Sequence, residues 1–395
     1  MSAGGLRVLV LGYLVRGPMG GMAWHHLHYV LGLARLGHDV WFLEDSDDYE
    51  SCYDPRTYLM TADPEFGLAF AGDALGRLGL GDRLAYWDAH TSRWLGPAAR
   101  RAPELCSSAD LLVNVSGVNP LRPWLLEVPH RLLIDTDPAF TQIRHLVSPP
   151  DLAAARAHTA FATFAERFGE PGCTVPDDGL PWVATRQPVV LDAWDPAPPS
   201  PAAPVTTVMQ WESYPDREHD GVRYGMKGES FEPYLDLPSR VGRVFTLAAG
   251  RGTPEPLLRE RGWRLVDPRD AAGDPWSYRE FLARSAAEFT VAKHGYVTSA
   301  SGWFSERSAC YLASGRAVVA QDTGWTAGLP SGEGLFAFDS FDRAAAGLEA
   351  VLADPARHGR AAREVAAAHF DHRVVLEPLV EHALAGAVKG HSTAA

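Results

Sequence analysis

Residues 292–325, AKHGYVTSASGWFSERSACYLASGRAVVAQDTGW, decide the fold of this chain. They predict a short apolar strand, a loop of small residues, a helix and a further strand. A second glycine-rich turn, GPMGG at residues 17–21, follows the apolar run at 6–11 and precedes a helical pattern. Strand, small-residue loop and helix, in that order, build the phosphate-binding turns of α/β folds. Two such units far apart in one chain predict two halves that face each other across a cleft.

Composition agrees with two globular domains and excludes several classes of protein. The chain has 395 residues, of which 46% are hydrophobic and 22% charged, and its formal net charge is −13. That charge disfavours a general nucleic-acid binder. The four cysteines, at 52, 106, 173 and 310, have no CxxC spacing, which indicates neither a disulfide framework nor a zinc site. No apolar run is long enough for a membrane span, and the N-terminus lacks a cleavage pattern, so we expect a cytoplasmic protein.

Apolar runs divide the chain into two α/β series. Continuous runs at 6–11, 39–43, 111–115 and 131–134 predict buried parallel strands, and 22–36 predicts a helix. The proline-rich stretch DPAPPSPAAP at 195–204 predicts a linker. Beyond it, the runs VTTVMQW, RVFTLAAG, WRLV, FTVAK and AVVAQ predict a second parallel sheet, and 344–388 has helical periodicity. We therefore expect an α/β protein with domains at 1–194 and 205–370, and a C-terminal helix and tail at 371–395.

Two of these segments resemble a known family. GGMAWHHLHYVLGLARLGHDVWFLED and LASGRAVVAQDTGW are similar to the opening and the donor-site ending of family-four-like glycosyltransferases of the GT-B fold, with the CgeB-like bacterial branch closest in pattern. The resemblance implies two Rossmann-like domains facing across a cleft and a C-terminal helix that crosses back. It also implies a nucleotide sugar held mainly by the C-terminal domain and an acceptor held mainly by the N-terminal one. A nucleoside-diphosphate sugar is then the co-substrate, with no further cofactor and no metal.

The chain departs from this family at one motif. Retaining members carry two glutamates before the end of the LA-x-G helix, and the matching positions here are Gly302 and Cys310. Glu306 lies between them and is a candidate substitute. Whether the sugar transfer inverts or retains configuration therefore stays open.

The second half supplies most candidate donor-binding residues. Lys293 and His294 end an apolar run, where a lysine neutralises a departing diphosphate, although a solvated loop pair is the alternative. Other candidates offer amides, hydroxyls or charged groups that could bind the phosphates, the ribose or the sugar of the donor. They are Arg251, Ser301, Gly302, Glu306, Arg307, Asp322, Thr323 and Gly324. An exposed ion pair for 306–307 and a turn at 322 are the competing interpretations. Lys227 and Arg251 both lie in early loops, and Arg251, within GRG, has the better position.

The first half supplies candidates for catalysis and acceptor binding. Gly20 and Gly21 would let the backbone come close to the donor phosphate or the acceptor. His25 or His26 would act as general base or contact the acceptor, and Lys293 is the third catalytic candidate. His28 lies on the apolar stripe of the helix and is expected to pack. Candidate acceptor contacts are Trp24, Asp135 and Asp137, although most of the twelve tryptophans are expected to pack in the core. DTDP at 135–138 also resembles the metal-binding DxD of another glycosyltransferase fold, but we interpret it as part of the acceptor pocket or a turn cap.

These features predict a metal-independent bacterial glycosyltransferase. Its acceptor would be a small molecule of secondary metabolism, or a component of the spore or the envelope. Two alternatives stay open: a sugar-nucleotide epimerase of the same fold, and a catalytically silent nucleotide-sugar-binding protein. A homodimer is an open alternative to a monomer. A nicotinamide oxidoreductase is disfavoured, because neither turn carries G-x-G-x-x-G with an acid after the second strand.

Overall fold

The computed structural model of the chain describes residues 5–250 and 252–386. Two largely parallel sheets, one in each half of the chain, carry the architecture. In the first half the strands are β1 (Arg7–Leu11), β2 (Asp39–Asp45), β3 (Cys52–Asp54), β4 (Leu59–Thr61), β5 (Leu84–Asp88), β6 (Arg93–Leu95), β7 (Leu111–Val115), β8 (His130–Asp135), β9 (Ala160–Thr163) and β10 (Val183–Ala184). The helices of this half are α1 (Gly20–Arg35), α2 (Glu65–Arg77), α3 (Ala102–Ser108), α4 (Pro123–Leu126), α5 (Phe140–Val147) and α6 (Pro149–Arg156).

The second half repeats the pattern. Its strands are β11 (Val205–Met209), β12 (Arg217–His219), β13 (Val222–Tyr224), β14 (Phe245–Ala249), β15 (Trp263–Val266), β16 (Ala287–Thr290), β17 (Ala317–Gln321) and β18 (Leu335–Phe338). Its helices are α7 (Lys227–Phe231), α8 (Leu237–Val241), α9 (Glu255–Glu260), α10 (Pro268–Ala272), α11 (Pro275–Ala283), α12 (His294–Thr298), α13 (Glu306–Ala313), α14 (Phe341–Ala353), α15 (Pro355–His369) and α16 (His372–Gly386).

Both sheets have the strand order of doubly wound folds. The first sheet runs β10-β9-β8-β7-β1-β2-β5-β6, in which only the β5–β6 pair is antiparallel, and the second runs β15-β14-β11-β16-β17-β18, all parallel. In each sheet the order reverses beside the first strand, between β1 and β7 and between β11 and β16. Such sheets bind ligands outside the carboxyl ends of the strands at the reversal. The predicted α/β fold with two Rossmann-like halves is therefore confirmed.

Buried apolar side chains explain why these segments form central strands. The strand β1, sequence RVLVL, is buried from Val8 to Leu11, and the sheet is covered on both faces by helices, as continuous apolar runs require. The helix α16 packs against α1, β8 and β9 and so returns to the first half. Gly32 of α1 permits this contact, because a Cβ there would lie 2.7 Å from Leu376 Cδ1. No helix within the two described ranges is both long and apolar enough to cross a lipid bilayer.

Candidate active site

Loops of the two halves contact each other at the carboxyl edges of the sheets. The turn after β1 leads into α1, and the loop after β16 carries Lys293 into α12. Hydrogen bonds between the halves join the loop before α13 to the loops after β8 and β9: Trp303 Nε1 donates to Thr136 O at 3.2 Å, and Arg167 N donates to Ser301 O at 3.1 Å. The site therefore lies between the halves, at the carboxyl edge of both sheets.

Lys293 lies in a polar and aromatic cluster that joins the halves. Its Nζ donates to Asp137 Oδ1 at 2.8 Å and to Tyr214 Oη at 2.6 Å. The hydroxyls of Tyr214 and Tyr296 also donate to the Asp137 carboxylate. The ammonium lies 4.4–5.2 Å from the ring centroids of Phe140, Tyr214 and Tyr296, within range of cation–π attraction. Lys293 counters the effect of burial on Asp137, so the pKa of that carboxyl is lowered.

The N-terminal ends of α1 and α13 lie opposite each other. Cys310 Sγ lies 3.8 Å from His28 Nε2, which fixes how the two helices face. Glu306 lies one turn before Cys310, and His25 lies one turn before His28, so both point toward the helix beginnings. In agreement, burial lowers the pKa of His25, and the negative charge of Glu306 opposes that shift in part. The Glu306 side chain is partly exposed and makes no hydrogen bond to another described residue.

Lys227 is the basic group that sequence reasoning undervalued. It is the first residue of α7, and its side chain makes no hydrogen bond among the residues described. Burial, followed by the positive charges of Arg307 and Lys293, lowers its pKa to about 7, while Glu306 opposes that shift. Burial and neighbouring cations disfavour the charge of Lys227, and Glu306 and Glu288 compensate it only in part, so a bound anion would stabilise the ammonium.

His294 positions Lys227. Gly225 N donates to His294 Nδ1 at 3.3 Å, and the amides of His294 and Gly295 donate to Met226 O and Gly225 O. The first turn of α12 thus fixes the two residues that precede Lys227. The sequence predicts that His294 reaches the phosphate or the sugar. In this structure its imidazole instead accepts a hydrogen bond from Gly225 N and so holds the backbone that precedes Lys227.

Arg307 does not have the free guanidinium that a phosphate contact needs. Its Nε pairs with Glu288 inside β16, and its other nitrogens donate to Val208 O and Thr290 Oγ1. Burial of Glu288 in a central strand makes this pairing necessary. The phosphate contact predicted for Arg307 is therefore corrected to a structural role. The other prediction, an exposed ion pair with Glu306, is also wrong, because Arg307 is buried and pairs with Glu288.

The small residues before α13 are also engaged within the protein. Ser301 Oγ donates to Tyr296 O at 3.4 Å, and Gly302 N donates to Thr323 O at 2.9 Å. A Cβ on Gly302 would lie 2.9 Å from Arg167 Cγ, so the missing side chain serves contact between the halves. The expectation that Ser301 and Gly302 cradle a diphosphate is thus corrected. The Ser305 hydroxyl, which precedes α13, is buried and has no partner among the described atoms.

The loop after β17 has turn-forming contacts. Asp322 accepts hydrogen bonds from Gly324 N and Thr326 Oγ1, both at 2.8 Å, and Thr323 Oγ1 donates to Trp303 O. Gly324 has a φ of +94°, and Arg167 from the first half packs on it. Asp322 therefore forms a turn, which is one of its two predicted roles. Its contact with a sugar, the other role, stays a prediction.

Three first-half predictions change for one reason, which is the approach of α11. A Cβ on Gly20 would lie 2.1 Å from Asp274 O, and one on Gly21 would lie 3.3 Å from the Tyr278 ring. Trp24 is fully buried, and its Nε1 donates to Pro275 O at 2.8 Å. The two glycines admit the second half rather than a ligand, and Trp24 packs between the halves rather than lining an acceptor pocket.

The histidines of α1 have different environments. His28 is buried, and its Nδ1 accepts a hydrogen bond from Val190 N at 3.0 Å, which confirms the predicted packing role. His26 is 0% exposed beneath Gly12, so it has no face toward a substrate, and the catalytic role considered for it is corrected. His25 is 7% exposed beside Glu306 and remains the candidate base. Burial lowers its pKa and favours the neutral form that a base requires.

The two aspartates of DTDP differ as well. Asp135 is buried and holds its turn, accepting from Asp137 N, Gln142 Nε2 and Thr163 Oγ1. It therefore shapes the site from behind and does not contact an acceptor. Asp137 reaches the cleft through the Lys293 cluster. The remaining candidate, Arg251, lies outside the described residues.

Comparisons with solved structures establish the architecture. An alpha-glucosyltransferase in complex with UDP and a 13-mer DNA containing a central A:G mismatch matches at TM-score 0.57 and 10% identity, covering 95% of this chain and 98% of that one. A glycosyltransferase from Rickettsia africae ESF-5 matches at TM-score 0.54 and 11% identity, covering 98% and 100%. AviGT4, a glycosyltransferase involved in avilamycin A biosynthesis, matches at TM-score 0.51 and 16% identity, covering 96% and 98%.

These similarities are to the fold. The chain has the GT-B architecture, in which two Rossmann-like halves face each other. No protein-family model matches the chain, and no curated protein matches it. The similarity to the CgeB-like branch stays a prediction.

Proposed function

We propose that this protein transfers a sugar from a nucleoside-diphosphate sugar to an acceptor. The observation that carries the proposal is Lys227, whose side chain has no hydrogen-bond partner among the described residues and whose charge is coupled to those of Glu306 and Arg307 at the beginning of α13. The similar structures include glycosyltransferases with bound UDP, which supports a nucleotide donor for this fold. A net charge of −13 makes a local group of cations the feature that would select an anion.

The chemistry assigns a task to each group. As the glycosidic bond to phosphate breaks, negative charge grows on the diphosphate, and the Lys227 ammonium with the first amides of α13 would stabilise it. Glu306, unpaired beside them, suits hydroxyls of the ribose or the sugar. His25 is placed to accept a proton from the acceptor if the reaction inverts configuration. If it retains configuration, the departing phosphate takes that proton.

Asp137 and the loops of the first half face the acceptor in this proposal. The acceptor is a small molecule or an envelope or spore component, and a role in bacterial secondary metabolism accords with the fold similarity to AviGT4. A cytoplasmic location and independence of metal ions belong to the same proposal.

Thermal-shift measurements test the proposal. We would screen UDP, GDP, ADP, CMP and dTDP with their common sugars, with and without EDTA, because a ligand of the folded state raises its Tm. A selective shift that survives EDTA is expected. Product analysis of the selected sugar donor then separates the classes: isomerisation of the donor alone indicates an epimerase, and tight binding without turnover or hydrolysis indicates a silent binder. No shift with any nucleotide would refute the donor site.

A further inference from the structure

The link between Lys293 and Asp137 joins the two halves at the cleft. Asp137 follows β8 of the first half, whereas Lys293, Tyr214 and Tyr296 belong to the second. The Lys293 side chain is 11% exposed and the Asp137 side chain 31%. The positive charge that the loop after β16 brings to the reversal point is thus already neutralised by a carboxylate of the same chain.

Asp137 has more hydrogen-bond partners in this cluster than Lys293 has. Lys293 has one carboxylate partner, and its other hydrogen bond goes to the neutral Tyr214 hydroxyl. Asp137 has three donors, because Tyr214 and Tyr296 bind it independently of Lys293. If Lys293 moved away, the two phenols and the backbone contact to Asp135 would still hold the carboxylate in place. Lys293 can therefore leave without stranding an unpartnered buried anion, which is the usual cost of breaking such a pair.

We propose that Asp137 is a displaceable counter-ion, which holds Lys293 until the diphosphate of a donor draws the lysine across the cleft. This inference rests on the proposed function and adds an order to it: donor binding releases one face of Asp137, which then accepts a hydrogen bond from the acceptor. Lys293 is close enough to Lys227 for their charges to interact, so one bound diphosphate is within electrostatic reach of both. A phosphate carries more charge than the carboxylate that it replaces.

The test compares the affinities of variants with opposite expected changes. Asp137→Asn keeps the shape of the side chain but removes the competing charge, so the Kd for the selected nucleoside diphosphate should fall by about tenfold. Lys293→Met should raise it by about tenfold or more. Tyr214→Phe, which removes one donor to Asp137 and one acceptor from Lys293, should give a smaller fall. Asp82→Asn, an exposed change of the same charge, should leave the Kd within about twofold.

Calorimetry with the nucleoside diphosphate and with inorganic pyrophosphate would give these constants. Unchanged or weaker binding by both Asp137→Asn and Tyr214→Phe, in variants that melt like the wild type, would overturn the inference while leaving the donor site intact. If Asp137→Asn does not fold, Tyr214→Phe alone decides. Absence of binding to either probe by the wild type and every variant would overturn the inference together with the proposed function.

Discussion

Arg307 of α13 and Glu288 of β16 form an ion pair inside the second half. Glu288 is fully buried, and the guanidinium also binds Val208 O and Thr290 Oγ1. Three contacts from one side chain fix α13 on the sheet. They thereby fix where its first residue, Glu306, lies in the cleft.

Arg307→Met should lower the free energy of unfolding by about 3–5 kcal/mol, because it leaves the Glu288 carboxylate buried and unpaired. Urea unfolding at neutral pH measures this change. Glu288→Leu together with Arg307→Met should recover much of the loss, since no buried charge remains. A single variant that is as stable as the wild type but binds no nucleotide would return Arg307 to the phosphate site.

Lys227→Met should weaken binding of the selected nucleoside diphosphate by about 10- to 100-fold, the usual range for a charged hydrogen bond. The fold should persist, because methionine fills similar space and removes a poorly compensated cation. Calorimetry gives the Kd, and Arg259→Met, an exposed change on α9, is the matched control. Equal affinity in the Lys227 variant and the wild type would contradict its assignment.

The same lysine predicts how stability depends on pH. Its folded-state pKa is lowered to about 7 from 10.5, so between these values the unfolded chain binds more protons than the folded one. This group therefore makes stability rise with pH from about 7 to 10.5. Urea unfolding across that window should show a steeper rise for the wild type than for Lys227→Met. Parallel curves would show that Lys227 is not a perturbed group.

His25→Gln should reduce turnover by about 10²–10⁴-fold if the imidazole is the base, with little change in Tm. Because burial lowers the pKa of His25, the acid limb of the wild-type pH–rate profile should lie below pH 6.5. His28→Gln provides the contrast, since it should lower Tm by removing the buried ring nitrogen that accepts from Val190 N. Full activity of a folded His25 variant would exclude it as the base.

Much of the fold could be predicted because strands buried in a parallel sheet have continuous apolar sequences. The strands at Leu111–Val115, Trp263–Val266 and Ala317–Gln321 have the predicted bounds. The strand β16 does not: the prediction began at Phe289, whereas the strand begins at Ala287 and includes Glu288. The apolar run begins only after Glu288, and its partner Arg307 was predicted to bind phosphate. Recognising that a buried acid needs a nearby arginine would have found both.

The site was less predictable because its contacts join distant parts of the chain. Asp137 and Lys293 are 156 positions apart, and nothing local shows that they meet. The position of Lys227 depends on the hydrogen bond to His294 and on the hairpin of β12 and β13. The sequence pattern did not predict this hairpin. Gly20 and Gly21 were recognised as positions of close approach, but the approaching group is α11 rather than a ligand.

A crystal structure with the selected nucleoside diphosphate bound tests the central claim most directly. The account predicts phosphate oxygens about 2.7–3.2 Å from Lys227 Nζ and from amides at the beginning of α13. A nucleotide bound elsewhere, with Lys227 making no contact to phosphate, would contradict it.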